Sequence, residues 1–166
     1  MESYSQGGRQ SVNAYDLSKV ASHNLVMVDK ALWNVPTVLK FFEPINPEHV
    51  SHSISNYQNS YSKETSYIEV EAITMSNLLE SFEIEPNKLS LIKLDIEGAE
   101  IEVLTDCMEK GIFPKQILVE FDELNLHSKE CYGKITRMNE MLVKNGYKMI
   151  TNNGQADFLY YRECLS

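Results

Sequence analysis

Asp95 and Glu97 stand two residues apart in Leu91-Ile92-Lys93-Leu94-Asp95-Ile96-Glu97-Gly98-Ala99-Glu100. This segment reads as a buried strand that ends in Asp-x-Glu, a glycine for a tight turn, and a helix start. Carboxylates at a strand end can hydrogen-bond a hydroxyl, and one whose pKa is raised can act as a general base. In open α/β sheets ligands bind at the carboxyl ends of the strands, where Asp95 and Glu97 emerge. Glu120, closing the apolar run Ile117-Leu118-Val119, is a third carboxylate of this kind. Each has a plainer alternative. Asp95 can pair with Lys93 on the same strand face, Glu97 can cap the helix that follows, and Glu120 can lie at the surface or pair with Lys93. Between Glu64 and Glu102 there are ten carboxylates and only two lysines, Lys88 and Lys93; such a run is usually a solvated face.

Other reactive side chains are sparser. His52 sits in a serine-rich loop, where it either contacts a substrate or is simply solvated. His23, His49 and His127 are not clustered with it, which leaves a metal site without a ligand pattern. Cys107, Cys131 and Cys164, three at wide spacing, make neither a zinc pattern nor a disulfide framework. Nothing near them is basic enough to activate a thiolate. Trp33, after an apolar strand, is expected in the core or in a pocket wall.

The elements that must position these groups follow from periodicity. Asn13–Ser22 carries Ala14, Leu17, Val20 and Ala21 at helical spacing. Leu25–Asp29 and Val38–Phe42 are short apolar runs of strand type, and Tyr67–Ile73 alternates as a half-buried strand. Thr74 or Ser76 caps a short helix that stops before Pro86. Leu89–Ile96 is strand-like, Ala99–Lys110 a helix ended by Gly111, and Gln116–Phe121 a strand. A long helix runs from Lys129 to Asn145 with Gly146 as its stop. Tyr147–Ile150 and Phe158–Tyr161 are close enough for an antiparallel hairpin. Helices between the earlier strands predict parallel pairing with right-handed crossovers. The Glu2–Gln10 and Ser51–Ser66 stretches are expected to be flexible.

The chain has 166 residues, a one-domain length, with 43% hydrophobic and 10% aromatic residues, enough for a real core. Fifteen basic against 24 acidic side chains leave a net charge of −9, which argues against binding nucleic-acid phosphates or an anionic membrane. No apolar run approaches the ~20 residues that span a bilayer, and the polar N-terminus has no signal-peptide h-region. A soluble protein of a reducing, cytoplasmic compartment is expected.

The Leu91–Glu100 segment resembles the signature of the FkbM family of S-adenosylmethionine-dependent methyltransferases, (L/I)-K-(L/I/V)-D-(I/V)-E-G-A-E. Ile117–Phe121 resembles the family's next strand, ending in Val-Glu. Asn145-Gly146-Tyr147 resembles the helix exit after it, Lys30-Ala31-Leu32-Trp33 an earlier "A-L" turn, and Val50–Ser55 the loop before the acidic strand. The resemblance runs from about Leu25 to the C-terminus. It implies a partial class I methyltransferase-like, Rossmann-like α/β fold: a mostly parallel sheet with an antiparallel C-terminal edge hairpin. The family fold opens with a strand, a Gly-rich turn and a helix, whereas this chain has no G-x-G; its one glycine pair, Gly7-Gly8, follows no buried strand. Residues 1–24 therefore read as a separate N-terminal segment, and 25–166 as a methyltransferase domain lacking its first strands.

The resemblance implies S-adenosylmethionine as cofactor and O-methylation of a small-molecule or sugar-like hydroxyl. By that resemblance Asp95 lies beside cofactor and substrate; Glu97 and Glu120 are the further candidate catalytic carboxylates, Ala31 and Leu32 the candidate cofactor contacts, and His52 the candidate substrate contact. The alternative is a non-catalytic remnant serving as an interaction module, self-associating through an uncovered sheet edge. An acidic metal-dependent hydrolase built on Asp95, Glu97 and Glu120 is the weakest reading.

Overall fold

The computed structural model describes residues 24–46, 48, 51–125 and 128–163. The predicted helix Asn13–Ser22, the Gly7-Gly8 pair, His23, His49, His127 and Cys164 lie outside them. Seven strands are formed: β1 (Ala31–Leu32), β2 (Thr37–Phe42), β3 (Tyr67–Ile73), β4 (Leu91–Leu94), β5 (Gln116–Glu120), β6 (Tyr147–Asn152) and β7 (Asp157–Arg162). Three helices accompany them: α1 (Met75–Ser81), α2 (Glu100–Glu109) and α3 (Lys129–Lys144).

Local chemistry sets the helix ends. Thr74 caps α1 by accepting the Asn77 amide, and the Asn77 side chain returns a bond to the Thr74 amide, a reciprocal capping box. Ser128 caps α3 by accepting the Cys131 amide at 3.1 Å. Gly146, at φ 87°, follows the end of α3 where a side chain would be strained.

The strands form two sheets. In the first, of order β1-β3-β2, β3 runs parallel to β1 and antiparallel to β2. In the second, of order β4-β5-β7-β6, β4 and β5 are parallel while β5–β7 and β7–β6 are antiparallel. The architecture is mixed α/β with two mixed sheets. This corrects the expectation of a single, mostly parallel sheet. The β4–β5 pairing and the C-terminal hairpin stand, but β3 pairs with the β2 hairpin arm and leaves the sheet of β4. Leu25–Asp29, expected as a strand, is exposed and forms no strand.

One core holds the second sheet and its helices. Alternation puts Ile92 and Leu94 of β4, and Ile117 and Val119 of β5, inward. They meet Val103, Leu104 and Cys107 of α2, Met138 and Leu142 of α3, and Tyr160 of β7 in one cluster. Each fully buried aliphatic side chain contributes about 1.5–3 kcal/mol. Trp33 packs against this cluster, as a wall residue would. Tyr147 is buried, and its hydroxyl donates to the Pro114 carbonyl at 2.7 Å. The site at the top of β4 and β5 thus rests on rigidly packed strands. Among the described residues no strand pairs with the outer edge of β4, where a cavity of about 420 Å³ lies between Val26, Val28, Leu32, α1 and β4.

Candidate active site at the carboxyl ends of β4 and β5

Parallel pairing sets Leu94 opposite Val119, so Asp95 and Glu120 leave their strands at the same edge of the sheet. The antiparallel β7 starts there too, with Asp157 opposite Glu120. Lys93 is the cation among them. It donates to Asp95 Oδ2 at 2.8 Å, and Asp95, Glu120 and Asp157 together hold its ammonium above the ordinary lysine range, the Asp95 hydrogen bond being the largest cause. The ion-pair alternative for Asp95 is therefore realised, but both side chains are about half exposed and Asp95 stays open to solvent. Glu120 is partly buried; burial, then Asp95 and Asp157, push its carboxyl up.

Glu97 occupies the turn between β4 and α2 at φ 59°, and Gly98 follows at φ 100°. A left-handed backbone at a non-glycine residue costs about 1–2 kcal/mol and persists only where its surroundings impose it. Four hydrogen bonds do so. Ser53 Oγ donates to the Glu97 carbonyl at 2.9 Å, and the Ile54 amide donates to the same oxygen at 3.3 Å. From the other side, the Glu100 carboxylate accepts the Ile96 amide at 2.7 Å and the Gly98 amide at 3.0 Å. A Cβ at Gly98 would lie 3.4 Å from Ile54 Cγ1 and 3.7 Å from Asp122 Oδ2, so the turn is closely covered. The Glu97 side chain is half-buried; burial raises its pKa, with Asp122 and Asp95 adding, while a hydrogen bond from Ser51 opposes them.

His52 is partly buried between Ser51 and Ser53, the two serines that hold Glu97, so the predicted substrate residue stands beside the turn. Ala31 and Leu32 lie in the other sheet. Leu32 reaches the cavity along β4 with Leu94 and Met75, and Ala31 pairs with Ala72. The strand ends therefore bring together Asp95, Glu97 and Glu120, with His52 alongside, and place Ala31 and Leu32 across the neighbouring groove. No group of His, Cys, Asp and Glu among the described residues is arranged to hold a metal ion. Cys107 is fully buried and its thiol is pushed up to about 12 by burial, which suits a core residue.

Residues 24–149 match the model of the methyltransferase FkbM domain. The chain belongs to the FkbM methyltransferase family. No curated protein and no solved structure matches it. An FkbM domain is a methyltransferase that uses S-adenosylmethionine and has a Rossmann-like fold. The family signature coincides with the β4–α2 turn, so its residues acquire distinct places here. Lys93 and Asp95 form the exposed ion pair, Glu97 takes the left-handed position, and Glu100 turns inward to bind the turn's amides. Sequence reasoning missed this use of Glu100, and missed Asp122 and Asp157. Asp157 follows a turn-rich stretch with no signal of its own. No helix among the described residues is long and apolar enough to cross a membrane.

Proposed function

We propose that this FkbM domain methylates a hydroxyl oxygen of a small molecule, with Glu97 as the base that receives the hydroxyl proton. One observation carries the reading: Glu97 is held at a strained backbone position, half-buried, with its carboxyl above the ordinary range. Raising its pKa makes a carboxylate a stronger base toward a hydroxyl proton. S-adenosylmethionine, when bound, supplies a methyl on a cationic sulfonium, and the protein's part is alignment and electrostatics. Asp95, Glu120 and Asp157 at one sheet edge, with Lys93 their shared cation, are a donor set that suits a sulfonium and ribose hydroxyls. Asp95, open to solvent, holds the cofactor side; Leu32 offers it an apolar wall, with Ala31 behind on β1. Glu120 adds negative potential, and His52 contacts the acceptor. Among the described residues no glycine-rich turn lies beside β4.

Isothermal titration with S-adenosylmethionine tests the reading. A Kd tighter than about 1 mM, roughly 4 kcal/mol of binding, is expected for the unaltered chain. Asp95→Ala is expected to weaken it about tenfold, while Glu97→Gln leaves it in place, because the base faces the acceptor. No heat at millimolar ligand from a folded sample would overturn it.

A second reading, an interaction module without catalysis, is favoured by the unpaired outer edge of β4 and the exposed Leu91, Val26 and Val28 beside it. Its occupant would be a second copy of this chain pairing along Leu91–Leu94. Light scattering on the same sample separates the two: dimers without cofactor heat support this reading, and a monomer that binds cofactor rejects it.

A further inference from the structure

A second cavity adjoins the turn and is not used by the reading above. It measures about 570 Å³ and lies between the β2–β3 hairpin and the loop that follows Ser53; Gly98 forms part of its wall. That volume suits one small molecule. Its lining differs from the strand-end cluster in charge: Lys40 and Lys63 are on it, with Asn56, Tyr61, Phe42 and Tyr67. In a chain of net charge −9, a pocket with two lysines and no carboxylate in its wall is set apart. Lys40 has Glu69 across the ladder, yet neither lysine enters an ion pair among the described residues; Lys40 instead lies over the Tyr67 ring, 4.0 Å from its centroid.

Asn56 fixes the wall of this pocket. It is only 7% exposed. Its Nδ2 donates to the Ser62 carbonyl at 2.8 Å, which ties the two ends of the loop Asn56–Ser62 together, and both Asn56 and Ser62 line the cavity. Tyr61, 70% exposed, presents an aromatic wall at the rim. The cavity opens beside Gly98, next in sequence to Glu97.

We propose that this pocket is the acceptor subsite, and that it takes a hydroxylated small molecule carrying an anionic group, a carboxylate or a phosphate. Lys40 and Lys63 bind the anion, and Tyr61 covers the carbon skeleton. The identity of this subsite as the acceptor's rests on the proposed O-methylation, but its ligand chemistry does not.

Titration of the chain without cofactor, using glucuronate, glucose 6-phosphate and glucose as probes, tests the proposal. Glucuronate, glucose 6-phosphate or both are expected to bind, with glucose at least about tenfold weaker, as charge-assisted contacts require. The stronger of the two charged probes distinguishes carboxylate from phosphate. Lys63→Glu, an exposed change that leaves folding intact, is expected to weaken the charged probe about tenfold. Equal affinity for glucose, no binding of either charged probe, or full affinity in Lys63→Glu would overturn the proposal. Because no cofactor is present, a failure of S-adenosylmethionine binding leaves this result standing, and the converse holds.

Discussion

Glu100 ties down the turn that precedes its own helix: its Oε2 accepts the Gly98 amide at 3.0 Å while Oε1 takes the Ile96 amide at 2.7 Å. The carboxylate is 1% exposed, so neither amide has water as a substitute. Removing it leaves two donors unmatched, at about 1–3 kcal/mol for a buried unsatisfied group. Glu100→Ala is therefore expected to lower stability by about 2 kcal/mol, and Glu100→Gln, which keeps one acceptor, by roughly half that. Urea unfolding at pH 6 reads both from the midpoint. Equal stability of Glu100→Ala and the unaltered chain would refute the clamp.

The same burial makes stability depend on pH in an unusual direction. Glu100 is raised from 4.5 to about 7, burial being the cause. Glu97, Glu120 and Glu123 are also raised, chiefly by burial. Between pH 4.5 and 7 the folded chain keeps the Glu100 proton that the unfolded chain has released. The folded state then binds more protons, so stability falls as pH rises through that window. A loss of about 2 kcal/mol would lower Tm by roughly 4–8 °C at this chain length. Thermal melts at pH 5 and pH 7.5 check the fall, and Glu100→Gln is expected to flatten it. A Tm that rises over this window would contradict the assignment.

Glu97 opposes function to stability. Its φ of 59° costs about 1–2 kcal/mol for a residue with a Cβ, and its carboxyl is further disfavoured by burial and by Asp122. Glycine there relieves both, less about 0.5–1 kcal/mol for the freedom it adds to the unfolded chain. Glu97→Gly is expected to stabilise the fold by about 0.5–1 kcal/mol and to abolish proton removal from the acceptor. A melt checks the first part: a Tm lower than that of the unaltered chain would mean that the side chain stabilises the turn.

How far the sequence carries can be judged residue by residue. Alternation in β3 and β5, the Gly98 turn and the capping of α1 by Thr74 depend on neighbours in the chain, and all could be read. The partner of β3 could not, because alternation places a strand on a face without saying which strand lies beside it. Leu25–Val28 has strand composition but pairs with no strand among the described residues, and stays exposed. The Ser51–Ser66 run reads as loose by composition, yet Ser53 and Asn56 are buried because the Glu97 carbonyl and the Ser62 carbonyl give them partners. Asp95, Glu97 and Glu120 follow as candidates from their places at strand ends. Glu100 and Asn56 were not, since their roles depend on backbone groups that come within reach only once the turn and loop are folded.

Asp95 offers the cleanest separation of binding from folding. Its bond to Lys93 is 2.8 Å long, but the two side chains are 46% and 57% exposed, and exposed pairs of this kind contribute about 0–1 kcal/mol. It also lies outside the contacts that hold the turn, which run through Ser53, Ile54 and Glu100. Asp95→Ala is therefore expected to change unfolding stability by less than about 0.5 kcal/mol while weakening S-adenosylmethionine about tenfold. Glu100→Ala should do the reverse in kind, losing stability first and affinity only as the turn loosens. Parallel urea melts and cofactor titrations of both variants distinguish the two roles. If Asp95→Ala lost stability and affinity together, its carboxylate would be part of the scaffold and the cofactor contact would have to be sought at Glu120 or Asp157.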